Sequence, residues 1–429
     1  MNFLKDLTEK IGSGATPRGG KNAYQGGNFS LIRSQNVLDF QFSFDGLAKI
    51  NDEQAKALSN VEVLDGDVLL NITGDSVARC CQVDAKSLPA RVNQHVCIIR
   101  PKQDKLDARY LKYLLLEPNY KNFLLTLASA GATRNALTKG MVEELEIPQV
   151  DVTYQKAIAH ILGTLDEKIE LNQKMNQTLE DIAKAIFKSW FVDFDPVRAK
   201  AEGRPTGLPP DVSDLFPDEL VDSEIGEIPK GWDIAPLDQI GNFRNGLAMQ
   251  KYPAMDGEEQ LPVVKIAQLR KGSTDGDDLF ASGVPSDFII ADGDYVFSWS
   301  GSLMAKYWVG GKGALNQHLF KVEEKTQPLW FIAGWVEHFM PEFQSIAESK
   351  ATTMGHIKRE HLKQAICVIP SQELIKRSAE VITPLIERSI LSQQESKVIS
   401  ELRDTLLPKL ISGELRIPDA EKFLEEAGI

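Results

Sequence analysis

The chain contains 429 residues, of which 42% are hydrophobic and 25% charged, and it carries a formal net charge of −13. The length indicates two or three domains, and the composition is typical of a globular protein and excludes a disordered chain. No apolar run reaches the roughly 18 residues of a membrane-spanning helix, and the N-terminus lacks the apolar core of a signal peptide, so we expect a cytoplasmic protein.

The charge is unevenly distributed along the chain. Residues 1–150 contain 18 basic and 17 acidic side chains, whereas residues 151–230 contain 9 basic and 16 acidic ones. The total of −13 argues against indiscriminate binding to nucleic acid. The nearly neutral first segment permits a DNA-binding surface there without requiring one.

The first part of the chain is rich in predicted strands. Candidate strands lie at 67–72 and 95–99, the first preceded by the turn dipeptide Asp65-Gly66, and a short helix is predicted near 108–116. We assign residues 1–151 to a first globular domain.

A long helix follows, predicted from about 153 to 190 within a segment 152–192. Its apolar residues recur every three or four positions and so form a single stripe along the helix. The stripe consists of Ile158, Ile161, Leu165, Ile169, Met175, Leu179, Ile182 and Ile186.

The composition changes after this helix. Residues 193–230 are rich in proline and acidic residues, which is typical of a linker. A second domain is predicted at 231–370, with strands at 295–299 and 319–322 and a short helix near 329–339.

A second long helix is predicted from about 372 to 410 within a segment 371–412, followed by a tail at 413–429. Pro384 lies well inside this helix and is expected to kink or break it, because proline removes a backbone donor. We expect the two long helices to pack on each other. The alternative is that each apolar stripe packs on the sheet of its own domain.

The chain repeats itself. Asp65-Gly66-Asp67-Val68 recurs 227 positions later, Asn93-Gln94-His95 recurs 223 positions later, and Ile147-Pro148 recurs 222 positions later. Lys156 then matches Lys376, and the helical pattern keeps that offset. The same order in both halves predicts a duplication of about 200 residues. The predicted fold is therefore mixed α/β, with pseudo-twofold symmetry and two similar globular domains separated by two long antiparallel helices.

Catalytic motifs are absent from the sequence. We find no phosphate-binding GxxxxGK[ST] loop, no methyltransferase signature, no HExxH and no nucleophile elbow. The four cysteines form no CxxC pair and predict neither a zinc site nor a disulfide framework. We therefore predict a protein that is not an enzyme and needs no cofactor or metal.

His95 and His318 occupy equivalent places in the repeat, yet neither has acidic, histidine or cysteine neighbours at metal-ligand spacing. The favoured interpretation is that Asn-Gln-His fixes the end of a strand through side-chain hydrogen bonds. Contact with DNA is the alternative.

Several polar loops carry side chains of the types that contact DNA in other proteins. Arginine and lysine suit guanine, asparagine and glutamine suit adenine, and both charged and hydroxyl side chains contact phosphates. The candidates in the first half are Arg18, Lys21, Arg33, Gln35, Asn36, Arg134, Asn135 and Lys139. Those in the second half are Arg244, Lys265, Gln268, Arg270, Lys271, Lys350, Thr352, Lys358 and Arg359.

Several short motifs together resemble the specificity subunits of Type I restriction–modification systems over nearly the whole chain. The strongest blocks are 163–172 (GTLDEKIELN), 190–194 (WFVDF), 228–232 (IPKGW) and 407–415 (LPKLISGEL). Two strand–loop segments, 32–37 (IRSQNV) and 265–269 (KIAQL), resemble matching parts of the family's two recognition domains.

The resemblance implies a non-catalytic subunit in which each domain reads one half of a split site in double-stranded DNA. It also implies two copies of an adenine methyltransferase subunit bound to the paired helices, and two ATP-dependent motor-nuclease subunits. For the helix–partner contacts we predict Leu165, Ile169, Leu179, Ile186, Leu402 and Leu406. A helix of about 38 residues spans roughly 55 Å, so we expect a spacer of fixed length between the half-sites.

Two rival interpretations remain at this point. One is a helical scaffold whose globular domains bind no DNA, which the negative charge favours slightly. The other is an enzyme that uses the cleft between the halves, which the absence of clustered acids, bases and nucleophiles disfavours.

Overall fold

The computed structural model describes the chain except for residues 1, 18–22, 25, 131–134, 275, 277–278, 350–354 and 427–429. It divides into two compact units. Unit 1 comprises Met1–Glu170 with Lys397–Ile429, and unit 2 comprises Leu171–Ser396. Each unit therefore takes a section of both long helices. No helix among the described residues is long and apolar enough to span a membrane.

Unit 1 begins with short strands and helices. The strands are β1 (Asn2–Phe3), β2 (Thr8–Ser13), β3 (Phe29–Ile32), β4 (Ala48–Ile50), β5 (Glu62–Val63), β6 (Val68–Asn71), β7 (Cys80–Gln82), β8 (Ala90–Val92), β9 (Val96–Pro101) and β10 (Glu146–Ile147). The helices are α1 (Asp52–Ala57), α2 (Ala108–Leu116), α3 (Pro118–Ser129), α4 (Lys139–Glu143) and the long α5 (Val152–Phe191).

Two four-stranded sheets form the strand-rich part of unit 1. One is antiparallel in the order β2-β9-β6-β7, and the other has the order β4-β3-β8-β5 with β3 and β8 parallel. On β6, Leu69 packs into a core that contains residues of both sheets, whereas Val68 and Leu70 pack into the core shared with the helices. Burial on both faces explains why this strand is an unbroken apolar run.

In unit 2 the strands are β11 (Leu220–Ser223), β12 (Gly226–Pro229), β13 (Asp233–Pro236), β14 (Gly241–Asn245), β15 (Gln260–Val264), β16 (Phe280–Ser282), β17 (Ile289–Ile290), β18 (Tyr295–Ser298), β19 (Met304–Tyr307), β20 (Gly313–Leu315), β21 (Leu319–Glu324) and β22 (Ile366–Ile369). Its helices are α6 (Asp195–Ala201), α7 (Pro210–Ser213), α8 (Leu237–Ile240), α9 (Ile266–Lys271), α10 (Leu329–Ser349), α11 (Arg359–Gln364) and the long α12 (Gln372–Ser412). The tail of the chain adds α13 (Ile417–Glu426) to unit 1.

The sheets of unit 2 repeat those of unit 1. The orders are β14-β21-β18-β19 and β16-β15-β20-β17, again with a parallel central pair, β15 and β20. The mixed α/β fold and the internal duplication expected from the sequence are thus confirmed.

The long helices close the cores of both units. In unit 1, Leu165 of α5 and Leu407 of α12 share one core with the sheet residues, and in unit 2 Phe187 of α5 and Ile382 of α12 do the same. Helix–helix packing and packing on a domain therefore occur together, although the sequence presented them as alternatives. Asp166 contacts Arg403 in unit 1 and Glu180 contacts Ser389 in unit 2, which is the pattern of an antiparallel pair.

Two predictions about helix ends were wrong. Helix α12 is not broken at Pro384, because Ile382 and Ile386 on either side pack against the core of unit 2; a kink there stays a prediction. Glu380, whose carbonyl loses its helical donor, is exposed to water. Helix α10 does not end near 339 but continues to Ser349, since residues beyond that point, such as Phe343, are buried.

The segment with linker composition is folded rather than extended. It contains α6, α7 and the β11–β12 hairpin. Phe216 is 1% exposed and contacts the rings of Trp190 and Trp232 at centroid distances of 5.6 and 6.3 Å. Aromatic burial therefore fixes a stretch that proline and acidic content alone identified as a linker.

An ion-pair network joins the long helices to α2 within unit 1. The carboxylate of Asp166 accepts hydrogen bonds from Lys112 Nζ at 2.7 Å, Tyr113 OH at 2.6 Å and Arg403 Nη1 at 2.9 Å. The Arg403 guanidinium also lies 3.6 Å from the ring centroid of Phe40. Burial opposes ionisation of Asp166, but the adjacent cations and hydrogen bonds outweigh it and lower its pKa.

We predict that Asp166→Asn lowers the free energy of unfolding of unit 1 by about 3 kcal/mol, because it leaves the buried Lys112 without a carboxylate and leaves the buried Arg403 with Asp404 alone. The pKa of Asp166 is lowered in the folded state, so its contribution is present at neutral pH and disappears as the pH falls below about 4. The variant should lack that part of the acid dependence. Hydrogen exchange of α2 during urea unfolding measures both effects.

Two internal references make this test specific. Glu167→Gln removes the neighbouring but exposed pair with Arg109 and should change stability by less than about 1 kcal/mol. All six tryptophans lie in unit 2, so tryptophan fluorescence should show an unshifted transition in both variants. Equal losses of unfolding free energy in Asp166→Asn and Glu167→Gln would contradict the stabilising role assigned to the Asp166 network.

Candidate nucleic-acid interface

The loop that directly follows β6 in unit 1 is hydrogen-bonded to a segment distant in the sequence. The amide of Gly74 donates to the carbonyl of Asn135 at 3.0 Å, and the amide of Leu137 donates to the carbonyl of Ile72 at 2.8 Å. The isolated bridge between Thr73 and Ala136 completes this connection. Backbone pairing thus brings residues 72–76 and 135–137 to one place.

His95 contacts the same loop through Thr73. Its Nδ1 lies 2.5 Å from Thr73 Oγ1, and its backbone amide donates to Asn93 Oδ1 at 3.0 Å. Its Nε2 lies 3.0 Å from Gln94 Nε2. Both ring nitrogens therefore have partners, one in the loop after β6 and one in the neighbouring Gln94. The predicted tethering role of the Asn-Gln-His motif is confirmed.

The second half repeats this arrangement. His318 Nδ1 lies 2.9 Å from Ser300 Oγ, and the amide of His318 donates to Asn316 Oδ1 at 3.3 Å. The amide of Gly301 donates to the carbonyl of Gly355 at 2.8 Å, matching the pairing of Gly74 with Asn135. The duplicated feature is thus a loop that follows β6 in unit 1 and β18 in unit 2, and in each unit a histidine fixes this loop.

In unit 1 these segments surround an open pocket of about 590 Å³. Most of the residues that line it are polar, and the lining consists of Ser34, Gln35, Thr73, Gly74, Asp75, Ser76, Arg79, His95, Asn135 and Ala136. Arg79 and Asn135 are exposed, and neither side chain has a hydrogen-bond or ion-pair partner among the described residues. Free amide and guanidinium groups on a fixed frame are suited to base edges and phosphates.

The structure separates the predicted residues of segment 33–36. Gln35 is exposed at the pocket, and its amide donates to the carbonyl of Asp45 at 3.2 Å. Arg33 donates to the carbonyl of Gly46 and its guanidinium lies 5.4 Å from the ring of Tyr24.

Asn36 is a correction to the predicted set. It is completely buried, and its Nδ2 donates to the carbonyls of Ser43 and Asp45 at 3.0 and 3.1 Å. Its Oδ1 accepts from the amide of Arg33 at 3.0 Å. Asn36 therefore holds the loop that presents Gln35 and does not itself face a ligand.

Lys139 lies at the start of α4, outside the pocket lining, and pairs with Glu143 at 3.3 Å. The predicted residues Arg18, Lys21 and Arg134 of the first half, and Lys350 and Thr352 of the second, lie outside the residues that the structure describes.

In unit 2 only some predicted residues approach the equivalent loop. Arg270 Nη2 donates to Ser302 Oγ at 2.5 Å. Trp299, which directly precedes Ser300, donates from Nε1 to Asn245 Oδ1 at 2.9 Å. Its ring lies 5.9 Å from that of His318.

The remaining candidates of unit 2 differ in their availability. Arg244 is paired with Asp287 and Glu323, each at 3.1 Å, which neutralises much of its charge. Arg359 donates to the carbonyl of Phe243 at 2.9 Å. Lys271 and Lys358 are exposed, whereas Lys265 and Gln268 are partly buried at the start of α9.

The sequence reasoning missed Arg79 and Trp299. Arg79 precedes a buried cysteine strand and carries no local motif. The β6–β7 turn holds it beside the pocket, where its carbonyl accepts from the amide of Asn71 at 2.8 Å. The sequence repeat could have identified Trp299, because Trp299 directly precedes Ser300, the loop residue equivalent to Thr73.

Five of the six residues predicted to contact partners belong to the protein's own packing. Leu165 is completely buried and Leu406 is 4% exposed within the core of unit 1, where Ile169 and Leu402 also pack. Ile186 packs on the core of unit 2, and Leu179 is partly buried. A partner has no access to Leu165 or Leu406, so those two predictions are corrected.

The site offers hydrogen-bonding groups rather than a nucleophile or metal ligands. Among the described residues no group of three histidine, cysteine, aspartate or glutamate side chains could hold a metal. All four cysteines are free and buried, and burial raises the pKa of the Cys81 and Cys97 thiols to about 12. These thiols therefore stay protonated at neutral pH.

Comparison with known proteins agrees with this architecture. The family model described as "Type I restriction modification DNA specificity domain" matches residues 1–181 and 229–401. The MjaIX specificity subunit of Methanocaldococcus jannaschii is 27% identical over 97% of this chain and 93% of that protein. The HindI specificity subunit of Haemophilus influenzae is 24% identical over 92% of this chain and 95% of that protein.

Among solved structures, the S subunit of a Type I restriction–modification system from M. genitalium matches with a TM-score of 0.52 and 14% identity, covering 95% of each chain. This likeness shows a shared fold. Since the family model matches most of the chain in two separate copies, one in each half, the chain belongs to the family of Type I restriction–modification DNA specificity proteins.

Proposed function

We propose that this chain recognises a bipartite site in double-stranded DNA, with the loop pocket of unit 1 and the matching loop region of unit 2 each reading one half. The observation that carries the proposal is the duplicated loop fixed by His95 and His318, with unpaired polar groups beside it in unit 1. A non-catalytic role fits a site built from amides, hydroxyls and a guanidinium.

The partners follow from the same proposal. We infer that two adenine methyltransferase subunits and two ATP-dependent motor-nuclease subunits assemble with the chain in the cytoplasm. Because most of the apolar stripe residues of the long helices pack internally, the docking surface would comprise apolar residues that this packing leaves exposed, such as Ile182 and Leu391, which are 42 and 57% exposed. The scaffold alternative leaves the polar pocket of unit 1 without a use.

We predict that Gln35→Ala changes the methylated motif at a position in one half-site, because a glutamine amide distinguishes adenine from other bases by about 1–3 kcal/mol. Arg79→Gln should weaken binding to all sequences and reduce the salt dependence by about one phosphate contact. The measurements are genome-wide mapping of N6-methyladenine in cells that also express the methyltransferase subunit, and DNA binding of the purified complex against salt concentration.

Lys56→Gln is the matched control, because Lys56 is exposed on α1 and does not line the pocket. It should leave both the motif and the salt dependence unchanged. If the complex assembles but produces no methylated motif that depends on this chain, the DNA-reading role is wrong and the scaffold alternative is supported. If Gln35→Ala leaves every position of the motif intact, this pocket is not the reading surface.

We further predict that the paired helices set the gap between the half-sites. Deleting residues 171–177 of α5 together with 392–398 of α12 removes one heptad from each helix and keeps the apolar faces aligned. The helices shorten by about 10 Å, so the gap in the methylated motif should shrink by about three base pairs.

Duplicating the same two heptads is the matched control and should lengthen the gap by a similar amount. Methylation mapping measures both variants against the unaltered chain. An unchanged gap with intact methylation in either variant would refute the idea that the helices act as a ruler.

A further inference from the structure

The duplication allows the loops of the two units to be compared position by position. In unit 1 the isolated bridge joins Thr73 to Ala136, and both residues line the pocket. In unit 2 the corresponding bridge joins Ser300 to His356. His356 therefore occupies the place that Ala136 occupies at the pocket of unit 1.

The neighbouring backbone contacts have the same register in both units. The amide of Ile357 donates to the carbonyl of Trp299 at 3.0 Å in unit 2. In unit 1 the amide of Leu137 donates to the carbonyl of Ile72 at 2.8 Å. In each unit this hydrogen bond is adjacent to the bridge, so hydrogen bonding alone establishes the correspondence.

The two free polar groups of the unit 1 pocket are missing from the matching described positions of unit 2. The exposed Asn135 is replaced by Gly355, whose carbonyl accepts the equivalent backbone hydrogen bond. Arg79 is replaced by Met304, because each lies opposite the last residue of the preceding strand, β6 or β18. The repeat instead adds one polar side chain at these positions, that of His356.

An aromatic ring lies beside the imidazole of His356. The ring of Trp299 is 6.3 Å from it, measured between centroids, and the two rings are T-shaped. Trp299 is itself fixed, because its Nε1 donates to Asn245 Oδ1 at 2.9 Å and its ring lies 5.9 Å from that of His318. Both His356 and Trp299 are partly exposed, whereas Ile72, at the position of Trp299 in unit 1, is buried. Unit 2 thus presents an imidazole in a restrained position.

We propose that His356 reads a base in the half-site that unit 2 recognises, and that Trp299 orients its ring. An imidazole offers hydrogen-bonding nitrogens that can pair with the base edges of the major groove. We place the contact on a base rather than a phosphate because the corresponding position of unit 1 lines the same pocket as Gln35. The inference rests on the proposed function, since it names a contact of the same reading surface.

His356→Ala tests the inference, because it gives unit 2 the residue that unit 1 carries at this place. Mapping of N6-methyladenine should show relaxed specificity at one position of the half-site that Gln35→Ala leaves intact. The purified complex with the methyltransferase subunit should lose about 3- to 10-fold discrimination among duplexes that differ only at that base pair. The salt dependence of DNA binding should stay unchanged, because no phosphate contact is removed.

His338→Ala is the matched control. His338 is another histidine of unit 2 beside a tryptophan, with its ring 5.4 Å from that of Trp335, but it belongs to α10. This variant should leave the motif unchanged. Tryptophan fluorescence during urea unfolding reports whether unit 2 is folded in each variant. Should His356→Ala fail to fold, His356→Leu keeps the bulk of the ring without its nitrogens and should relax the same position.

Three results would overturn the inference: an unchanged motif in a folded variant, a change confined to the half-site that Gln35→Ala alters, or uniformly weaker binding with a smaller salt dependence. The last result would identify His356 as a phosphate contact. If the unaltered chain itself produces no methylated motif, the proposed function fails and the inference fails with it.

Discussion

The core of each unit is incomplete without a helical segment supplied from the other end of the chain. In unit 1, Leu406, Leu407 and Leu410 of α12 are 4% exposed or less within the core built by β6, β9 and α2. In unit 2, Phe187 and Phe191 of α5 are 5% exposed or less in the corresponding core. Because each burial contributes about 1.5–3 kcal/mol, removing either segment would expose apolar surface worth a large part of a domain's stability. The helices are therefore structural parts of both units, and this accounts for most of their apolar stripe residues being unavailable to partners.

Within this shared frame the two halves have diverged where the frame does not constrain them. The sheet orders and the histidine tether are kept, since changing them would displace whole strands. Elsewhere, the charged network around Asp166 in unit 1 corresponds to a cavity beside Ala183 in unit 2. Breaking one partner of a buried ion pair is strongly destabilising, whereas replacing the whole network by apolar residues can be neutral. The coordinated replacement seen here is the second kind of change.

The elements that the sequence predicted well are those with strong periodicity or a repeated copy. The boundaries of α5 and α12, and the strands around 68–71 and 295–298, follow from apolar patterning that tertiary packing reinforces. The site was predicted less well. Gln35 and Asn36 are adjacent polar residues with the same propensities, yet one is exposed and the other buried, and only the fold of the 43–46 loop decides which. The pocket also depends on pairing of residues 72–74 with 135–137, about 60 residues away, which local pattern does not encode. Pro384 is the opposite case, because burial of the residues on either side outweighs the local tendency of proline to break a helix.

A protein that selects one DNA sequence must limit its affinity for all others. Phosphate contacts raise affinity for every sequence alike, so a chain of net charge −13 with a largely neutral pocket gains little from them. Discrimination then depends on polar groups held in fixed positions, because a flexible amide would lose entropy on binding and could adapt to the wrong base. In the proposed reading loops, the histidine tether and the buried Asn36 would supply that rigidity, because their hydrogen bonds restrain the loops in the free protein. The same reasoning explains why the tether is retained in both halves although the side chains presented beside it differ.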